Sequence, residues 1–169
     1  MSVVSPKSSL LEGAEILEKV LPPNGFRFQF RGEGKSSGGK FAWGEFIRGD
    51  RKLEFHVRYN LGLVRYHVGT ESASHDYYMR EIGVLERCHY PGFSEDPSEA
   101  FLGLGHDLAF AGDFLTGTGA LLRQAAMRET SDNAARHADL MTDRLRRRQT
   151  QGRESTQLFP PRKIRRRTG

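Results

Sequence analysis

Cysteine is almost absent from this chain: one residue, Cys88, in 169. No internal disulfide can form, and a reducing compartment is expected. No apolar run approaches the roughly 20 residues that a membrane-spanning helix needs. The opening residues, MSVVSPKSSLLEGAEILEKV, have no basic stretch leading into an apolar one, which is the pattern of a secretory leader. There is no H-E-x-x-H pair and no paired-carboxylate spacing. These absences exclude a disulfide-built scaffold and a helical membrane span. They point to a cytoplasmic domain with no cofactor and no metal.

Charge, by contrast, is abundant and unevenly placed. Charged residues make up 28% of the chain, the net charge is +5 and the mean hydropathy is −0.60. From Arg136 to Gly169 there are 11 basic and 3 acidic residues, a net of +8, so Met1 to Ala135 carries −3. The high pI therefore belongs to the tail. Arg144, Arg146, Arg147 and Arg148 form one cluster; Arg162, Lys163, Arg165, Arg166 and Arg167 form a second. Such an arm suits contact with nucleic acid through counterion release, a solvated terminus, or a partner of opposite charge.

Periodicity predicts the elements. SSLLEGAEILEKVL (residues 8–21) is amphipathic at helical spacing, with Ser8 or Ser9 and Glu12 as a start signal and Pro22-Pro23 as a stop. FRFQFR, KFAWGEFI, LEFHVRY and LVRYHVG read as four consecutive strands of an antiparallel meander, with GEGKSSGG as a loop between the first two. Residues 72–83 read as a short helix. Asp96, Pro97 and Glu99 announce another, bearing Phe101, Leu104, Leu108, Ala111 and Leu115. Thr116 to Gly119 interrupts it, and a last segment after Ser131 places Ala134, Ala138, Met141 and Leu145 at helical spacing. The expected fold class is α+β: a four-stranded antiparallel meander packed with helices over residues 1–130. A basic arm follows over 131–169, a short helix and then largely disordered chain.

The hairpin RKLEFHVRYNLGLVRYHVG (residues 51–69) is the most regular stretch. A reversal at Asn60–Gly62 predicts a register in which His56 faces His67 and Arg58 faces Arg65, with Glu54 beside them. This makes Glu54, His56, Arg58, Arg65 and His67 the candidate binding surface, with His75 the nearby third histidine for a metal or acid–base site. Other motifs carry less. Gly34-Lys35-Ser36 imitates the end of a phosphate-binding loop, but Gln29 stands where its first glycine belongs and a strand follows. KFAWGEF has the aromatics of a base-stacking strand in the wrong strand order, so Phe41, Trp43 and Ile47 are expected in the core. Cys88 and His89 are adjacent, so on a strand they would point apart.

These features point first to a non-enzymatic binding or interaction protein, of immunity or accessory type, with a protein partner. A nucleic-acid-associated role through the arm comes second, and a histidine- or metal-dependent hydrolase third.

Overall fold

The structure is a computed structural model that describes residues 5–92 and 95–157. Side chains of the last helix are described through Arg148. The chain forms two compact units, Met1–Glu129 and Thr130–Gly169. The first is an α+β domain built on a five-stranded antiparallel sheet in the order β1-β2-β3-β4-β5.

Helix α1 (Pro6–Leu17) begins earlier than Ser8 because Ser5 caps it. The Ser5 hydroxyl accepts the Ser8 amide at 3.1 Å, and Pro6 occupies the first turn, where no amide is needed. Leu10, Ala14 and Leu17 form its buried stripe. Strands β1 (Arg27–Ser36) and β2 (Gly39–Arg48) pair down to Ser36↔Gly39. Most of GEGKSSGG is therefore strand and not loop. The pairing shifts between Phe30 and Gly32, a bulge at Arg31. Gly44 leaves space that aromatic rings fill: a Cβ there would lie 2.9 Å from the Phe28 ring.

Strands β3 (Arg51–Val57) and β4 (Leu61–Val68) correct the expected hairpin register. Leu53 faces Tyr66, Glu54 faces Arg65 and Lys52 faces His67, so neither His56–His67 nor Arg58–Arg65 is a cross-strand pair. The physical reason is Leu61. Its side chain is buried, and placing it in the turn would expose it to water. The chain reverses instead at Arg58–Asn60, where the Asn60 carboxamide oxygen accepts the Leu61 amide at 2.7 Å. Up to Phe55 the slip is an even number of residues, so Leu53, Phe55, Val64, Tyr66 and Val68 keep their predicted face. A bulge at His56 then sets Val57 opposite Leu61, and Tyr59 is exposed at the turn.

Phe46, Leu53, Phe55, Val57, Val64, Tyr66 and Val68 face the helices. On β2 the core parity is that of Ala42 and Phe46, which pair with Val57 and Leu53. Phe41, Trp43 and Ile47 therefore lie on the outer face, half-buried, contrary to expectation. A fifth strand, β5 (Glu71–Ser74), pairs with β4 where a helix was expected, and α2 (His75–Ile82) starts only after it.

Helix α3 (Pro97–Asp107) opens as predicted, with the Asp96 carboxylate accepting the Ser98 amide at 2.9 Å. It packs Ala100, Phe101 and Leu104 into the core. A short helix α4 (Gly112–Leu115) precedes α5 (Ala120–Gln157). The break at residues 116–119 is organised by two side chains. The Asp113 carboxylate accepts the Gly119, Leu121 and Leu122 amides, capping α5. The Arg51 guanidinium donates to the carbonyls of Asp113, Phe114 and Gly117.

No second break occurs at Ser131: α5 runs unbroken to Gln157, with no glycine or proline from Ala120 to Gln151. Within the second unit, Arg144, Arg146, Arg147 and Arg148 are exposed on this helix, and Arg147 lies 3.6 Å from Asp143 one turn back. Arg162, Lys163, Arg165, Arg166 and Arg167, with the expected disorder around them, lie outside the described residues.

Candidate functional site

On the outer face the register sets Glu45 directly opposite Glu54, and Glu54 opposite Arg65. Two facing carboxylates repel, and the surrounding side chains neutralise them. Lys52 Nζ lies 3.3 Å from Glu45 and 3.4 Å from Glu54. Arg31 Nε is 3.1 Å from the other Glu45 oxygen. His56 Nε2 lies 3.0 Å from Glu54 Oε1, and its ring stacks on Trp43 at 5.6 Å between centroids. His67 Nε2 sits 3.3 Å from Glu54 Oε2, but without hydrogen-bond alignment.

Of the five residues picked from the sequence, Glu54, His56 and His67 thus form one cluster. Arg65 is occupied by Glu129, which it grips through both guanidinium nitrogens at 3.1 Å while Glu129 also accepts the Ser74 amide. Arg58 lies apart from it, at the β3–β4 turn. His75 joins neither sheet histidine: it contacts Tyr66, on the opposite face of the sheet.

Burial opposes ionisation of Glu54, but the His56 bond and the charges of Lys52 and His67 outweigh it and hold the carboxyl below its ordinary 4.5. Burial first, then Lys52, pushes His67 below its ordinary 6.5 against the pull of Glu54. Both shifts have the same sign for stability, because the unfolded chain takes up each proton more readily. Stability is therefore expected to fall on acidification. The fall begins as pH drops through 6.5 and continues below 4.5. Denaturant midpoints measured from pH 7 downward test this: a Glu54→Gln/His67→Gln variant should show a flatter dependence, and an unchanged slope would contradict the assignment.

At the turn end of the sheet lies an open depression of about 540 Å³, lined by Ser36, Phe41, His56, Val57, Arg58, Gly62 and Leu63. Arg58 Nη2 donates to Ser36 Oγ at 3.0 Å, and the Tyr59 hydroxyl donates to the Gly38 carbonyl at 3.0 Å. These bonds tie the β3–β4 turn to the β1–β2 hairpin tip. Among the described residues Arg58 forms no ion pair with a carboxylate, and beside it Leu63 and Tyr59 are 46% and 79% exposed.

A second polar cluster is buried between α2, α3 and the connecting segment. Asp107 is fully buried, yet its carboxylate accepts four hydrogen bonds. They come from the His89 amide (2.8 Å), the Tyr90 amide (3.0 Å), His106 Nδ1 (2.9 Å) and His75 Nε2 (3.1 Å). Burial works against its ionisation, but the two imidazoles and two amides prevail and hold the carboxyl down at about 2. His75 Nδ1 bonds the Tyr66 hydroxyl at 3.1 Å, so both ring nitrogens are engaged. The Cys88 thiol is pushed up to about 12 by burial and by Asp107. It is thus a poor nucleophile as it stands, and its close neighbours are His75 and Asp107, not the adjacent His89 ring.

Asp107 carries no motif of its own in the sequence. Its signal was a lone carboxylate on the buried stripe of α3, three residues after Leu104 and just before Leu108. No family model, no curated protein and no solved structure matches this chain.

Proposed function

We propose that this protein is a non-enzymatic binding protein, of immunity or accessory type. Its contact surface is the turn end of the outer sheet face, centred on His56, Arg58 and Leu63. The observation that carries this reading is the depression itself: a guanidinium with no carboxylate partner among the described residues stands beside exposed apolar side chains. A desolvated arginine flanked by apolar contacts is a common anchor of protein interfaces. The chemistry selects a protein segment that seats an apolar side chain against Phe41 and Leu63 and offers an aspartate or glutamate to Arg58. His56, which lines this depression, is bonded to Glu54 of the neighbouring cluster. The cluster that resembles acid–base machinery, Tyr66–His75–Asp107, has its polar groups bonded to one another and buried.

Selection of displayed random peptides on the immobilised full chain tests the reading. Recovered sequences should pair an apolar residue with an adjacent acidic one and should be lost on Arg58→Glu or Leu63→Asp. Enrichment of basic peptides, or binding indifferent to both substitutions, would contradict it.

A second reading, nucleic-acid contact through the arm, is favoured by four exposed arginines within five residues of α5. Every described core residue precedes Thr130, so a chain ending at Glu129 is expected to fold with a net negative charge. Full-length protein should retain DNA or RNA at low salt, with log affinity falling linearly against log salt, and the shortened chain should lose that binding. Equal binding by both would move the contact to the domain.

A further inference from the structure

We infer that His75, Cys88 and Asp107 form a binding site for a thiophilic divalent cation, zinc by preference. The three come from separate elements: the first residue of α2, the segment after it, and the last residue of α3. Their donor atoms nevertheless all lie within 4.8 Å of one another. Zinc bonds nitrogen and oxygen at about 2.0–2.2 Å and sulfur at about 2.3 Å, so ligands around one ion sit about 3.3–3.7 Å apart. His75 Nε2 and Asp107 Oδ2, at 3.1 Å, are close to that already, and Cys88 Sγ, within 4.8 Å of both, has to close in by at most about 1.5 Å.

The surroundings match what a metal centre requires. His75 Nδ1 is bonded by the buried Tyr66 hydroxyl, which orients the ring and leaves Nε2 as the atom aimed at the cluster. Asp107 is held by the His89 and Tyr90 amides and by His106 Nδ1, none of which needs to leave for Oδ2 to take a cation. The cation replaces the Nε2 proton as the group shared by His75 and Asp107. The single imidazole proton moves to Nδ1, where Tyr66 Oη accepts it, and the thiol proton is released to solvent, one per site. The burial that raises the thiol in the free protein is offset by the ion's charge. A nitrogen, sulfur and oxygen donor set with a thiolate favours zinc, cobalt and cadmium over magnesium or calcium. With three protein ligands, a water completes the tetrahedral set. The site pins the segment around residues 84–92 to α2 and α3. It goes beyond the binding function above and does not depend on it.

Titration of the metal-free, full-length protein with Co²⁺ is the test. The expected result is one equivalent bound with a thiolate-to-cobalt charge-transfer band, displaced by Zn²⁺ and accompanied by release of one proton. Cys88→Ser should abolish the band while leaving the protein folded, and His89→Gln, which keeps its backbone amide on Asp107, should retain it. Absence of the band in the folded wild-type chain would overturn the site. Loss of the band in His89→Gln would overturn the ligand set.

Discussion

Asp107→Ala is expected to cost about 3–5 kcal/mol, the range for removing one partner of a buried charged cluster. The loss has identifiable parts. The His89 and Tyr90 amides lose their acceptor inside the protein, at about 1–3 kcal/mol for each unsatisfied group. His75 Nε2 loses its partner as well, and a small cavity opens at the end of α3. Against a typical total of about 5–15 kcal/mol, such a change brings the domain near its unfolding threshold at room temperature. His106→Ala removes one of the four bonds from a ring that is 41% exposed, so it should cost under about 1 kcal/mol. Urea denaturation of both variants gives the comparison. Equal, small effects would mean that solvent replaces the carboxylate and that Asp107 does not hold the His89–Tyr90 segment to α3.

Phe101→Ala should have an effect of similar size, about 3–5 kcal/mol. The ring is fully buried, meets Phe55 of the sheet edge-on at 5.6 Å and lies against Gly13 of α1. It meets the sheet, α1 and its own helix at one point. A Cβ at Gly13 would fall 2.2 Å from two of its ring carbons, so Gly13→Ala alone forces α1 and α3 apart and should cost about 1–3 kcal/mol. In the double variant the added methyl enters space vacated by the ring, and the two losses should sum to more than the measured total. Strict additivity in a double-mutant cycle would show that α1 and α3 do not meet at this point.

Local pattern carries much of this architecture. Leu53-Phe55-Val57 and Val64-Tyr66-Val68 alternate cleanly, so the core face of the central hairpin is legible. Its register is not. An even slip leaves Leu53, Phe55, Val64, Tyr66 and Val68 on the same face, so alternation cannot choose between the two pairings. The bulge at His56 and the burial of Leu61 mark the one adopted. β2 carries apolar residues at both parities, which is why local pattern alone assigns Trp43 to the core. What decides its face is pairing with β3, a long-range fact.

The candidate surface is half legible for the same reason. Glu54, His56 and His67 share a face by alternation alone, whereas the capture of Arg65 by Glu129 joins residues 64 positions apart. The His75–Cys88–Asp107 cluster follows no metal-ligand spacing, because three separate elements deliver its members. The continuity of α5 through Ser131 shows a weak local stop signal yielding to flanking residues with high helix propensity.

The most direct test of the binding surface is a charge-swap cycle using a peptide selected on the full chain. Arg58→Glu should weaken binding of the acidic–apolar peptide by about tenfold or more. Changing that peptide's acidic residue to arginine should restore affinity to the Arg58→Glu variant but not to the wild type. If Arg58→Glu leaves affinity unchanged, or if the swapped peptide gains nothing on the variant, the guanidinium does not meet the partner's carboxylate and the proposed surface is wrong.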